Sequence, residues 1–443
     1  MIFRTLSSVS LVWIGLAATA LALPPYPEQS LPELDALLKG ARDYAPSVVA
    51  REYGVEEAIG QEKVAAAMRR PNITFTLRAI GTYENRDDLP ENKTRLAPDG
   101  NLTGRQPLYY WGRLDAYRNM GKIRREQAEV ERDRAGKEAL WQIRQYYLQY
   151  LLSRKSQATA MKGLELADKQ LAAQEDLAQA GRSTEQRMIE VRILRQTYEE
   201  RLTTAQAALL RARAALEDIT GQPVDEQLGA DAEIPAAAAL TNAELAELRS
   251  KILAPGTESL LVEQAELSLS LEKENFRVIS SRNKPAFDFI TGAYQDQIDS
   301  YGSSKQAFRY YFFGGVQMTW NIFDGGETKG HKISSLARQR YNEIQINRGK
   351  SAVNRERSYL LGEVEQSMRA MQTRERSQQL QQQRVALAEK QMTRNEISSQ
   401  ELLRMQIQAE EAQVSLLEAR VNYIVGLSKL RSELYGEPQI IRK

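Results

Sequence analysis

Cysteine is absent from the 443 residues. That excludes disulfides, thiolate metal sites, a cysteine nucleophile and a lipid anchor on an N-terminal cysteine. Histidine occurs once, as His331, so histidine-based catalysis and histidine-rich metal sites have no material; a lone histidine at a helix start reads as a solvated side chain. Net charge is only +2, although 27% of residues are charged. No basic field points to nucleic acid. Past the N-terminus, no run reaches 18 uncharged apolar residues, so the chain does not cross a membrane as a helix. Proline is missing between Pro285 and Pro438, which permits very long helices there. No nucleophile–base pair or metal-ligand constellation is visible. The sequence therefore reads as a non-enzyme without cofactor or metal.

The N-terminus has the form of an export leader. Arg4 supplies the positive charge, Leu11 to Leu21 the apolar core, and Ala20-Leu21-Ala22 a small-x-small cleavage site. The expectation is a signal peptide over 1–22.

The rest is written twice. Pro71 and Pro285, Gly112 and Gly326, and Gly181 and Asn395 are each 214 positions apart; Gly221 of "TGQP" and Gly436 of "YGEP" are 215 apart. Landmarks of different chemistry at one spacing mean a tandem repeat. The predicted units are a first repeat over 23–223, a linker over 224–240, a second repeat over 241–438 and a tail over 439–443. Each repeat has a short helix, a β-hairpin (about 71–112 or 285–326) and a long helical hairpin with its tip near 181 or 395.

Periodicity supports this order. Ile73, Phe75, Leu77 and Ala79 alternate with Thr74, Thr76 and Arg78, and Tyr310, Phe312, Val316, Met318, Trp320 and Ile322 share one face. A period of two means strands with one apolar and one polar face. The polar stretches "DDLPENKTRLAPDGNLTG" and "QIDSYGSSKQ" read as the loops between them. After Gly112, and again after Gly325-Gly326, the period becomes three to four. Leu140, Ile143, Tyr147, Leu151, Ala158, Met161 and Leu164 form one seam; Leu403 to Leu434 form another. These are narrow coiled-coil seams on charged helices. From Gly112 to Gly181 such a helix runs on the order of 100 Å at about 1.5 Å per residue. The glycines thus mark where a strand wall becomes a helix wall. Four strands are too few for a barrel, and open sheet edges are not tolerated in lipid; twelve strands from three chains would close one.

The order helix, strand, loop, strand, long helix, tip and return helix, written twice, resembles the TolC family of outer-membrane efflux and secretion channels. Its carriers are "WNIFDGGETKG" (320–330), "AGRST" (180–184) and "LLEARVNYIVGLSKLRSELYG" (416–436). The resemblance implies a mostly α fold with a membrane β-barrel, assembled as a homotrimer in outer-membrane lipid with a large periplasmic tunnel. It also implies two partners, a periplasmic adaptor (membrane fusion) protein and an inner-membrane efflux pump or ABC exporter. The cargo would be small molecules or proteins. The alternative is an exported periplasmic coiled-coil adaptor or structural protein without a pore.

Site residues follow from position and from the resemblance. Gly112, Gly325 and Gly326 are barrel-to-helix junctions. Trp111 and Trp320 are candidates for an interfacial aromatic girdle, or for strand-to-helix packing. The tips Gly181, Arg182, Ser183, Asn395, Ile397 and Ser398 are candidate adaptor-docking positions. Family members often carry aspartates six and nine positions after the tip glycine. This chain has Arg187 and Glu190 in the first repeat and Glu401 and Arg404 in the second. The swapped signs suggest ion pairs between neighbouring hairpins at a periplasmic aperture, against the alternative of ordinary solvated charges.

Overall fold

The computed structural model describes residues 24–84, 93–253, 259–299, 306–394 and 396–437. The expected leader and tail lie outside these residues. A 3-10 turn, Pro27–Gln29, leads into α1 (Pro32–Tyr44) and α2 (Pro46–Ala67). The strands β1 (Asn72–Glu84) and β2 (Lys93–Tyr109) follow, then α3 (Arg113–Gln179) and α4 (Glu185–Thr220). After an irregular stretch come α5 (Asn242–Leu253), α6 (Leu260–Ser280), β3 (Ala286–Asp299), β4 (Gln306–Thr319), α7 (Glu327–Thr393) and α8 (Ser399–Tyr435).

Sequence expected one helix before β1, but there are two. Pro46 lacks an N–H and clashes with the preceding turn, so the chain breaks at Ala45 and restarts with Pro46 in its first turn. The loop expected at 87–104 is shorter than its polar composition suggested, because β2 already begins at Lys93. Its two prolines sit where they cost little. Pro98 pairs only with β1, since pairing with β3 begins at Gly100; Pro107 lies at a register shift.

The four strands form one antiparallel sheet in the order β1-β2-β3-β4. The hairpins repeat in register. Asn72 stands opposite Arg105 and Ala286 opposite Thr319, so both partners move by 214. The long helices keep that spacing, each having 67 residues. One sheet face carries Ile73, Phe75 and Leu77 of β1, and Phe312, Val316 and Met318 of β4. All are exposed, Phe312 at 82%. Under lipid this is the expected outer face. The opposite face carries Arg78 paired with Asp99 at 3.1 Å.

The core is a belt midway along the long helices, far from both sheet and tips. "ALWQIRQYYLQYLL" (139–152) is the one stretch of α3 with apolar side chains on all sides, and such a segment must be buried all round. Tyr147, Leu148, Tyr150, Leu151 and Leu152 pack there with Leu34 and Leu38 of α1, Leu216 of α4, and Val224 and Ile234 of the irregular stretch. A second cluster joins Leu248 and Ile252 of α5 to Leu360 and Val364 of α7 and Tyr423 and Leu430 of α8. Nearer the tip the seam departs from expectation. Met161 is exposed, and the buried positions are Gly163, Ala167, Gln170 and Gln174. Small residues let α4 approach, and a Cβ on Gly163 would lie 2.9 Å from the Tyr198 ring.

The belt is locked by Arg144, whose side chain is fully buried. Its guanidinium donates to both oxygens of Glu28 (3.1 and 2.7 Å) and of Glu437 (2.8 and 2.9 Å). Burial opposes its charge, but the hydrogen bonds to Glu437 and Glu28 prevail and hold it protonated. Tyr26 lies beneath Arg144 and Arg431, at 4.7 and 4.2 Å from its ring centre, and Arg431 donates to the Pro24 carbonyl at 2.7 Å. One arginine thus ties both ends of the described chain to α3. Removing one partner of a buried ion network costs about 3–5 kcal/mol. Arg144→Met is expected to destabilise the protein by about that much in denaturant unfolding in detergent. Glu28→Gln with Glu437→Gln in the same chain should recover part of the loss.

Candidate functional site

The two strand-to-helix junctions are built alike. Gly112 and Gly326 stand at the N-caps of α3 and α7 with φ of +78° and +93°, a left-handed conformation that favours glycine. Gly325 adopts φ +64°. Trp111 shares this conformation at φ +54° without being glycine, which costs about 1–3 kcal/mol and persists only where neighbours fix it. Its indole N–H donates to the Pro285 carbonyl at 2.8 Å, and its ring packs edge-on to Tyr109 at 5.1 Å. Trp320 does the same in the second copy, donating to the Asn283 carbonyl at 3.1 Å. Both rings remain about half exposed. They clamp strand to helix while leaving an aromatic face outward.

Asp324, the carboxylate of the second junction motif, organises that junction. It accepts from the Gly326 N–H and from the Thr328 N–H, both at 3.0 Å, and the Thr328 hydroxyl lies 2.7 Å from the Asn283 side chain. The short carboxylate followed by two glycines is the sequence signal of such a turn. At the first junction, β2 and β3 are joined by Asp288, which is buried and accepts from Arg105 (2.6 Å) and Tyr110 (2.7 Å). Sequence reading missed this triad because its members lie more than 170 positions apart.

At the far end, α3 closes on Gly181 (φ +66°), and the Arg182 N–H reaches back to the Leu177 carbonyl at 2.8 Å. In the second copy the Glu396 N–H reaches the Gln391 carbonyl at 2.9 Å, the same bond moved by 214. Asn395, the counterpart of Gly181, lies outside the described residues. Ser183 bonds to Gln174, and Ile397 is half-buried. The return helices are capped by Thr184 and Ser398, but differently. Ser398 and Glu401 form a reciprocal capping box, at 3.2 Å in each direction. Thr184 only accepts from the Arg187 N–H at 3.4 Å, because arginine cannot return the bond.

This bears on the four aperture candidates. Arg187, Glu190, Glu401 and Arg404 are all exposed, and among the described residues no ion pair joins any two of them. Glu401 is engaged in its own helix cap, and Glu190 accepts from Gln186 at 3.4 Å. The tips instead meet through Gln400 of α8 and Gln174 of α3, at 2.9 Å. The pairing expected from the swapped signs is therefore not made within one chain.

No helix of the described residues is long and apolar enough to cross a membrane. Residues 37–222 match the family model described as outer membrane efflux protein. Over that stretch, somewhat less than half of its length, the chain is similar to this family of outer-membrane efflux proteins. Among curated proteins, the pyoverdine export outer membrane protein OpmQ of Pseudomonas putida is 24% identical over 202 residues, 44% of this chain and 43% of that one. The matched stretch is thus less than half of the relative. The fold is similar over nearly the whole chain to two solved structures. One is the CmeC outer membrane channel of Campylobacter jejuni (TM-score 0.73, 12% identity, 93% of this chain and 87% of that one). The other is the outer membrane protein VceC of Vibrio cholerae (TM-score 0.69, 16% identity, 93% and 99%).

The Asp324 carboxyl is held down to about 2, mainly by the hydroxyl and N–H of Thr328 and then by the Gly326 N–H and Asn283. A depressed aspartate adds stability above its ordinary value near 3.8 and loses it as pH falls through about 2. Asp324→Ala should speed amide exchange over 320–335 at neutral pH, measured by hydrogen–deuterium exchange. The gap from wild type should narrow as pH falls from about 4 towards 2.

Proposed function

We propose that three copies of this chain close a twelve-stranded barrel in the outer membrane, continued by a helical tunnel in the periplasm. This assembly is the exit duct of a tripartite export system. The observation that carries the reading is the four-stranded sheet, with an apolar exposed face and two edges, β1 and β4, without a partner among the described strands. Hydrocarbon does not tolerate such edges, and a barrel needs about eight strands or more. The chain acts as a conduit and does no catalysis. The relative named for pyoverdine export supports an export role. An exported coiled-coil adaptor or filament would have no use for the aromatic and aliphatic outer face of β4.

In this reading the tips at Gly181, Arg182 and Ser183, and at Asn395, Ile397 and Ser398, receive a periplasmic adaptor, which links the duct to an inner-membrane pump. Arg187, Glu190 and Arg404 stand near the same end and line its aperture; Glu401 serves first as a helix cap. Trp111 and Trp320 lie at the level where lipid headgroups meet the periplasm, and their exposed rings suit that interface.

Two substitutions on neighbouring positions test the face assignment. Phe75→Arg, on the apolar face, should impair outer-membrane insertion by about 2–4 kcal/mol if it sits near the bilayer midplane. Thr76→Arg, on the polar face, should insert nearly normally and change single-channel conductance in planar bilayers. Equal loss of membrane yield in both variants would contradict the assignment.

The docking role is tested by charge reversal at an exposed tip residue. Arg182→Glu should lower export in cells while native mass measurement still finds the trimer. Unchanged export by a folded variant would place docking elsewhere.

A further inference from the structure

The repeat fixes more than the presence of a partner at each sheet edge; it also specifies a register. Moving by 214 carries β1 onto β3 and β2 onto β4, with both hairpin ladders superimposed. The β2–β3 ladder is the one place where a first-copy strand meets a second-copy strand within the chain. There Gly104 is opposite Thr291, Thr103 opposite Gly292 and Leu102 opposite Ala293. Applying the same shift once more places β4 beside β1 of the next copy. Gly104 moves to Met318 and Thr291 to Leu77.

We propose, resting on the closed-barrel reading above, that β4 of one copy pairs antiparallel with β1 of the next with Met318 opposite Leu77, Gln317 opposite Arg78 and Val316 opposite Ala79. The faces agree. Met318 and Leu77 are both exposed and apolar, at 56% and 69%, whereas Gln317 and Arg78 are both polar. A slip of one residue would set every apolar side chain of β4 against the polar face of β1. A slip of two keeps the faces, so only the repeat distinguishes it.

The same shift applied to the helices yields a second contact. Within the chain α6 lies against both α3 and α7, and α2 lies against α3. Across the α3–α6 contact, Gln127 donates to Ser268 at 3.1 Å. The shift turns this pair into Tyr341 of α7 and Gly54 of α2 in the next copy. Tyr341 is a large exposed ring, and a Cβ on Gly54 would meet nothing within 4 Å. A bulky side chain on one helix thus faces an open glycine on the other.

The cysteine-free chain makes the test direct, because any introduced disulfide is unambiguous. Directly opposed residues have Cα atoms about 4.5–5.5 Å apart, within disulfide reach, whereas diagonal neighbours lie at about 7–8 Å. Met318→Cys with Leu77→Cys, oxidised in outer membranes, should shift the chain from the monomer band to dimer and trimer bands on non-reducing gels. Met318→Cys combined with Phe75→Cys or with Ala79→Cys should remain at the monomer band. Tyr341→Cys with Gly54→Cys should also cross-link between copies, and it stands as the test if the strand variants fail to insert. Faster cross-linking when Met318→Cys is combined with Phe75→Cys or Ala79→Cys than with Leu77→Cys would overturn the register. So would the absence of cross-links in both the strand pair and the helix pair when native mass measurement finds a trimer. A monomer by mass would instead overturn the closed-barrel reading itself.

Discussion

A β-strand in hydrocarbon cannot leave its backbone N–H and C=O groups unpaired, since each costs several kcal/mol there. In this chain β1 and β4 each present one open edge. Most of the architecture follows from that constraint. Four strands cannot curl far enough to meet each other; in the proposed assembly closure comes from other copies, and identical copies close only if the last strand presents what the first strand accepts. A tandem repeat meets this condition without a separate solution at the subunit boundary. The contact made inside the chain between β2 and β3 is the template for the contact proposed outside it.

The same economy explains the helices. The wall of the proposed tunnel is one helix thick and has little interior, and α3 and α7 are polar along most of their length. Helices in proteins draw most of their stability from tertiary packing, so these long helices need a place where packing is dense. The belt supplies it, as α1, α5 and the irregular stretch around 224–240 wrap the midpoints of the long helices. Glu33 shows how tightly this stretch is held, accepting from the Tyr147 hydroxyl at 2.8 Å and the Gly229 N–H at 2.6 Å. At the sheet end, the left-handed glycines and the two tryptophan clamps fix the angle at which strand passes into helix.

Features that depend on period or spacing were legible in the sequence. The alternation around Phe75, the seam through Ile143 and Tyr147, and the 214-residue offset are local or self-referential signals, and they led to the mostly helical fold with its membrane sheet. The loop assignment over 87–104 failed because Pro98, Asp99 and Gly100 look like turn residues; pairing with β1 overrides that composition. Met161 was misplaced because packing near the tip uses glycine and alanine, which carry little periodic signal. The Arg144 network and the Asp288 triad had no signal at all, since buried charges are indistinguishable in sequence from the many solvated ones and their partners are remote. At the tips, charge signs suggested pairs between hairpins, but Glu401 is the third residue of a helix opened by Ser398. The local backbone was a partner that spacing could have revealed.

The two copies do not resemble each other equally everywhere, and the pattern of divergence is informative. Across the strand hairpins and the whole length of α3 and α7 the offset stays at 214. By the ends of the return helices it has become 215, at Gly221 and Gly436. In the belt the equivalence breaks in kind. Ile143, fully buried, has Arg357 as its counterpart, and Arg144 has Ser358. Arg144 binds the two ends of the described chain, which occur once per chain, so no second copy of that clasp is possible. The tips diverge as well, one closed by a capping box and the other by a single cap. Equivalence is therefore kept where, in the proposed assembly, strands and helices fit a neighbouring copy as they fit each other. It is relaxed where a segment meets something unrepeated, the chain ends in the belt and, in the proposed assembly, a partner protein at the tips. A ring of identical charges at the aperture would require equivalence to persist at the tips, and the exchange of Arg187 for Glu401 shows that it does not.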